Sequence, residues 1–170
     1  MIEILILNEL NKNILTMYGI SKRIKTFFPA LTNPSFGTIK PALLRLQKYG
    51  FVNAKKDISE GGRPSVYYSV TKDGIEYLKT LLLKDPSENP NLFLTNSRIK
   101  LVCSGILDDK NKMIFLDLLK SKAECIKTDA LNVLTSKNPD FYCKMTYDNL
   151  VCEYNNFISL LEGLKNGCKG

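Results

Sequence analysis

The thirteen residues from Gly62 to Gly74, GRPSVYYSVTKDG, constrain this chain more than any others. Val66, Tyr68 and Val70 alternate with Ser65, Tyr67 and Ser69, which is the period of a strand with one buried face. Ahead of it, Ser59 to Pro64 is polar, holds two glycines and carries Arg63, as a hairpin connection should. Val52 to Ile58 supplies the first strand of that hairpin. Thr71 stands where an N-cap belongs, and Ile75, Leu78 and Leu82 recur at helical spacing behind it, so a helix to about Leu83 follows the second strand directly.

Three helices are predicted upstream. Ile2 to Leu10 is dense in Leu and Ile around one polar pair, Asn8 and Glu9, as a buried first helix would be. Thr16 is placed to cap a second helix from Met17 to about Phe28, with Tyr18, Ile20, Ile24 and Phe27 or Phe28 toward the core and Lys22, Arg23 and Lys25 outward. Ser35 is placed to cap the third, in which Ile39, Leu43 and Leu46 form the inner stripe with Ala42 beside it. Thr38, Pro41, Arg45 and Lys48 lie opposite. Pro41 deprives Gly37 of a backbone bond and implies an opened or bent start to that helix. Gly50 is a C′ residue and Phe51 its apolar anchor.

Two helices, a third and then a basic hairpin make a winged-helix layout, and charge bears on what such a layout does. The chain carries a net +7. Residues 1–83 hold 12 Lys or Arg against 6 Asp or Glu, whereas residues 84–170 hold 12 against 11. Clustered cations raise both affinity and encounter rate for phosphate, so a polyanion is the expected partner of the first half.

The residues Ser35, Phe36, Gly37, Thr38, Ile39, Lys40, Pro41, Ala42 and Leu43, the wing residues Gly62, Arg63, Pro64, Tyr68, Thr71 and Gly74, and more loosely Tyr18, Ile20, Lys22, Arg23 and Ile24, resemble the PadR family of bacterial transcriptional regulators. The resemblance covers residues 1 to about 83. It departs from the family at Phe36, where a proline is usual, at Lys40, where a tyrosine is usual, and at Met17, in a glycine position. It implies a dimeric repressor of double-stranded DNA whose third helix enters the major groove while the wing follows phosphate or the minor groove. Relief by a small-molecule effector bound near the dimer interface is implied as well.

Under that resemblance the expected DNA-binding residues are Lys22, Arg23, Ser35, Thr38, Lys40, Arg45, Lys48, Lys55, Lys56 and Arg63. Thr38 near the helix start reaches a base edge or a phosphate. Lys40 exchanges a neutral backbone contact for an ionic one, and Arg45 is placed either to fork onto guanine or to touch phosphate. Lys55, Lys56 and Arg63 are wing cations for phosphate, and Lys22 and Arg23 position rather than specify. Tyr67 and Tyr68 are expected to pack.

Asp85, Pro86, Ser87, Pro90 and Asn91 mark a boundary, so the expected organisation is a DNA-binding domain over 1–83, a linker over 84–91 and a helical dimerisation region over 92–170. The expected fold is therefore mostly α with a small β-hairpin. Leu92 to Leu107 is one helix. Leu116, Leu119, Ala123, Ile126, Ala130 and Val133 then recur in steps of 3, 4, 3, 4 and 3, as do Tyr147, Leu150, Tyr154, Phe157, Leu161 and Leu164. Two such stripes joined by Ser136 to Pro139 make an antiparallel pair, with Leu116, Leu119, Ile126, Tyr147, Leu150, Tyr154, Phe157 and Leu161 expected at a two-fold interface.

Other functions find little support in these residues. There is no histidine, no phosphate-binding glycine loop and no recognisable carboxylate pair, so the chain is not expected to be an enzyme or to need a cofactor. Cysteines at 103, 125, 143, 152 and 168 are odd in number and widely spaced; they suit neither a disulfide framework nor structural zinc, and serve as small hydrophobes more readily than as a redox switch. No export signal or membrane span is legible, which fits a cytoplasmic protein. The rival reading is a winged helix used only for protein contacts, which has no need of cations at Lys40, Arg45, Lys55, Lys56 and Arg63 together.

Overall fold

The computed structural model describes residues 1–58, 62–136 and 138–167. Ser59, Glu60 and Gly61, which the sequence assigns to the hairpin connection, together with Lys137 and residues 168–170, Cys168 among them, lie outside the described residues. In chain order the elements are α1 (Ile2–Lys12), β1 (Leu15–Thr16), α2 (Met17–Phe27), α3 (Phe36–Lys48), β2 (Val52–Ile58), β3 (Pro64–Val70), α4 (Lys72–Leu83), α5 (Pro90–Cys103), a 3-10 turn at Ser104–Ile106, α6 (Asp109–Ser136) and α7 (Phe141–Gly167). The fold is mostly helical with one small antiparallel sheet.

The chain divides into two compact units, Met1–Lys84 with Leu94–Ile106, and Asp85–Phe93 with Leu107–Gly170. Where the sequence suggested a single linker, the division interleaves, and α5 contributes to both units. One reason is Lys100. Its ammonium is buried and donates to the carbonyls of Leu82 at 3.2 Å and Lys84 at 2.8 Å, satisfying acceptors that the end of α4 leaves unpaired.

In the first unit α1 is the hub, packing against α2, α3 and α4. Its Ile4, Leu5, Ile6, Leu7 and Leu10 meet the inner stripes of the neighbouring helices, among them Ile20, Ile24, Ile39, Leu43, Leu46 and Leu78, all buried. The sheet has order β1-β3-β2. Val52 pairs with Val70 and Ile58 with Pro64 across the hairpin, and the added strand β1 pairs Leu15 with Tyr68 and Thr16 with Tyr67. That third strand is not legible in the sequence, because two residues are too few to show a period.

Local chemistry sets the element ends. The Thr16 hydroxyl accepts from the Gly19 amide at 3.1 Å and so caps α2 while its own backbone ends β1. At the other end of α3, the Phe51 amide donates to the Leu46 carbonyl at 2.9 Å and the Gly50 amide to that of Gln47 at 3.0 Å. These are the two bonds of a Schellman motif, and Gly50 supplies the required left-handed conformation at φ +76°. Phe51 then stacks on Tyr77 of α4, with centroids 4.2 Å apart. The Thr71 hydroxyl accepts from the Gly74 amide at 3.0 Å and donates to the Gly50 carbonyl at 2.8 Å, tying the end of the wing to the end of α3. Pro41 sits inside an uninterrupted α3.

Two positions of α2 differ from expectation. Tyr18 is exposed rather than packed, and Arg23 does not point outward; of the two aromatics expected at the core, Phe28 is the buried one.

In the second unit α6 and α7 form the antiparallel pair. Lys120 Nζ lies 2.7 Å from Glu162 Oε1, and Lys165 pairs with Asp117, so the two ion pairs fix one register. Asp108 caps α6 through the Asn111 amide at 2.9 Å, and Asp140 caps α7 through that of Cys143, also at 2.9 Å. Phe93 inserts against Tyr154 and Phe157, at 6.1 and 5.9 Å between centroids.

Candidate nucleic-acid interface

Between Glu9 and Asp57 the chain contains no Asp or Glu, yet it contains nine Lys or Arg. This stretch builds β1, α2, α3 and most of β2. Apart from Lys12 beside Glu9 and Lys55 and Lys56 beside Asp57, its cations are without an acidic neighbour in sequence, and a carboxylate that neutralises one of these must reach it from elsewhere. Two do.

The first is Glu9 of α1. Its side chain is fully buried, it accepts from the Asn8 amide at 3.1 Å, and Arg23 Nε lies 2.6 Å from its Oε2. The Arg23 guanidinium also lies 4.8 Å from the centre of the Phe27 ring. A buried carboxylate needs a counter-charge, and this requirement turns Arg23 back from the outer face of α2. The second is Glu3, which accepts from Arg45 Nε at 3.2 Å and Nη2 at 3.0 Å and from the Tyr77 hydroxyl at 3.2 Å. Burial, followed by the neighbouring Glu3 charge, pushes the Tyr77 phenol above its ordinary pKa. Arg45 is thus engaged from the flank of α3, although its side chain stays half exposed.

Lys12, at the end of α1, stands 3.8 Å from Glu9; Lys22, Lys25, Lys40, Lys48 and Lys56 remain, all exposed. Lys55 is exposed as well, 3.3 Å from Asp57. The Ile58 amide, and then Lys55, hold the Asp57 carboxyl below the usual range. Arg63 follows Gly62, whose φ of +73° helps turn the wing. Ser35 occupies the cap position of α3 without a cap hydrogen bond; its hydroxyl lies 3.3 Å from that of Thr38, so both polar groups sit together at the exposed start of the helix.

A shallow depression between α2 and the start of α3 is lined by Tyr18, Ser21, Lys22, Lys25, Thr26 and Phe36. Lys25, Tyr18 and Phe36 thereby join the face that carries Lys22. For Lys25 the signal was present as an outward cation. For the two aromatics there was none, since an aromatic in an amphipathic helix ordinarily signals core.

The residues expected at a two-fold interface lie in α6 and α7. Leu116, Leu119, Ile126, Tyr154, Phe157 and Leu161 are buried within the single chain, and Tyr147 and Leu150 are half-buried. The two stripes therefore close on each other in the α6–α7 pair. Ile114, Leu131, Leu160 and Leu164 are the apolar side chains these helices leave exposed, with Phe141, Tyr142 and Met145 near the start of α7.

Cys103 is buried, and burial pushes its thiol up to about 12, so it behaves as a small hydrophobe; Cys125 and Cys152 are exposed and Cys143 is half-buried. Among the described residues no cluster of three or more His, Cys, Asp or Glu side chains is placed to hold a metal ion. None of the described helices is long and apolar enough to cross a membrane.

Residues 6–80 match the family described as "Transcriptional regulator PadR-like family". No curated protein sequence matches the chain. Among solved structures, a transcriptional regulator from Clostridium thermocellum is similar at 29% identity over 46% of this chain and 76% of its own, with a TM-score of 0.43. Bacillus subtilis PadR in complex with operator DNA is similar at 17% identity over 98% of each chain, with a TM-score of 0.45. The same protein in complex with p-coumaric acid is similar at 17% identity over 99% of this chain and 95% of its own, with a TM-score of 0.41.

Proposed function

We propose, on the match of residues 6–80 to the PadR-like family of transcriptional regulators, that the chain is a sequence-specific DNA-binding regulator, a repressor acting as a homodimer on a palindromic operator. The observation that carries this reading is the acid-free stretch between Glu9 and Asp57, whose lysines are displayed on α2, α3 and the wing. A duplex backbone is the partner whose charge density matches such a surface. Thr38 and Lys40 on the exposed first half of α3 are the residues placed to meet base edges and adjacent phosphate. Lys22, Lys48, Lys55, Lys56 and Arg63 hold the backbone from either side.

The homodimer is assigned to residues 92–170, through the apolar side chains that α6 and α7 leave exposed rather than through their closed seam. A second copy covering Ile114, Leu131, Leu160 and Leu164 would remove apolar surface from water and space two α3 helices for an inverted repeat. Relief by a small molecule is carried over from the family.

Salt titration of binding to duplex DNA tests the electrostatic part. Lys40→Ala and Arg63→Ala should each weaken binding and reduce the slope of log K against log salt by about one, as loss of a single phosphate contact does. Unchanged slopes in both variants would remove these side chains from the interface and with them the proposed docking of α3 and the wing.

A further inference from the structure

The exposed face of α3 carries a stripe of period four, Phe36, Lys40, Leu44 and Lys48, in which apolar and cationic side chains alternate. A spacing of four keeps such residues on one side of a helix over three turns. Phe36 is 44% exposed and Leu44 52%, although both belong to a helix with a complete inner stripe in Ile39, Ala42, Leu43 and Leu46. Gly37 and Pro41, also exposed, lie beside them and offer no side-chain hydrogen bond. The one arginine of α3 is engaged by Glu3, the helix contains no Asn, Asp or Glu, and its one glutamine, Gln47, lies in the last turn. Thr38, Lys40 and Gln47 are the polar groups this surface leaves for base edges, and Phe36 and Leu44 are its apolar means of discrimination.

Resting on the DNA-binding reading above, we propose that Phe36 and Leu44 determine specificity by packing against thymine C5-methyl groups in the major groove. The thymine methyl is the one apolar feature that base pairs present there. The cations around these two side chains argue for a duplex as the occupant: Lys40 and Lys48 alternate with them along the stripe, and Lys22 and Lys25 line the depression that Phe36 closes. Lysine in the groove or at its edge neutralises phosphate while the apolar residues discriminate. The two roles are separable, because a thymine methyl can be removed without changing charge.

The test uses the full chain and the duplex it enriches from a random-sequence pool, made in two forms, one with thymine and one with deoxyuridine at every thymine position of the half-sites. The native protein should bind the deoxyuridine form more weakly, by roughly fourfold for each methyl that is buried. The Phe36→Ala/Leu44→Ala double variant should bind both forms alike while keeping the native salt slope; its unfolding transition, set beside that of the native chain, reports that the fold is retained. Equal binding of the two forms by the native protein, or a double variant that still prefers thymine, overturns the inference and leaves the DNA-binding reading standing. If no duplex sequence is enriched, that reading fails and the inference falls with it.

Discussion

Arg23→Ala is expected to lower the unfolding free energy by about 3 kcal/mol, because it leaves the fully buried Glu9 carboxylate short of its main counter-charge. The remaining partners are weaker. Asn8 donates one neutral hydrogen bond at 3.1 Å, and Lys12 Nζ stands 3.8 Å away on a half-exposed side chain. Loss of the stacking of Arg23 on Phe27 adds to the deficit. Urea denaturation gives the number, and a second substitution identifies its cause. Glu9→Leu in the Arg23→Ala background should recover much of the loss, since an apolar residue has no charge to desolvate. A phosphate-contacting Arg23 would behave in the opposite way: stability within about 0.5 kcal/mol of native, the usual range for a surface substitution, and a reduced salt slope for DNA binding.

Gly74→Ala should be similarly damaging, at about 3 kcal/mol, for a steric reason. In a helix interior alanine is favoured over glycine by about 1 kcal/mol, so propensity alone predicts a gain. At this position a Cβ would overlap the Phe51 carbonyl oxygen and lie 2.8 Å from Val70 Cγ2. The carbonyl cannot retreat freely, because it accepts the Thr71 amide at 3.0 Å, and Thr71 in turn caps α4 and holds the Gly50 carbonyl. Overlap with backbone therefore outweighs propensity. Gly163 in α7 supplies the control. A Cβ there meets nothing within 4 Å, so Gly163→Ala should stabilise by about 0.5–1 kcal/mol. Thermal melts of the two variants should move in opposite directions, and a neutral Gly74→Ala would mean that the junction of wing and α4 is looser than its hydrogen bonds indicate.

The winged-helix half was legible because its signals are local. Thr16, Thr71 and Gly50 act on amides within a few residues of themselves, and the alternation from Val66 to Val70 needs only its own strand. What escaped depended on distant residues. Glu9 and Glu3 are separated from Arg23 and Arg45 by 14 and 42 positions. No helical period reveals that a carboxylate of α1 will turn one cation inward and engage the other. The two-residue strand β1 likewise exists only because Tyr67 and Tyr68 are there to pair with it.

In the helical half, the stripes of α6 and α7 were legible but their partner was not. A heptad-like stripe specifies that it will be covered; it carries no label for a helix of the same chain or of another. Here Leu119 and Phe157 are covered within the chain, so charged substitutions at these positions would disturb the helix pair itself rather than report on self-association. Exposure of Phe36 and Leu44 was hidden for a related reason: hydrophobicity in an amphipathic helix is ordinarily evidence of core, and only the three-dimensional packing separates the residues that fill it from those left outside.

The central claim, that this chain reads DNA sequence as a symmetric pair of winged helices, is tested most directly by selecting bound duplexes from a random pool at moderate salt with the reduced, full-length protein. The expected result is enrichment of an inverted repeat whose half-site centres are about 10 base pairs, or a multiple of that, apart. Weak, strongly salt-dependent retention without enrichment of any sequence would contradict it, and would leave a basic winged helix whose partners are proteins.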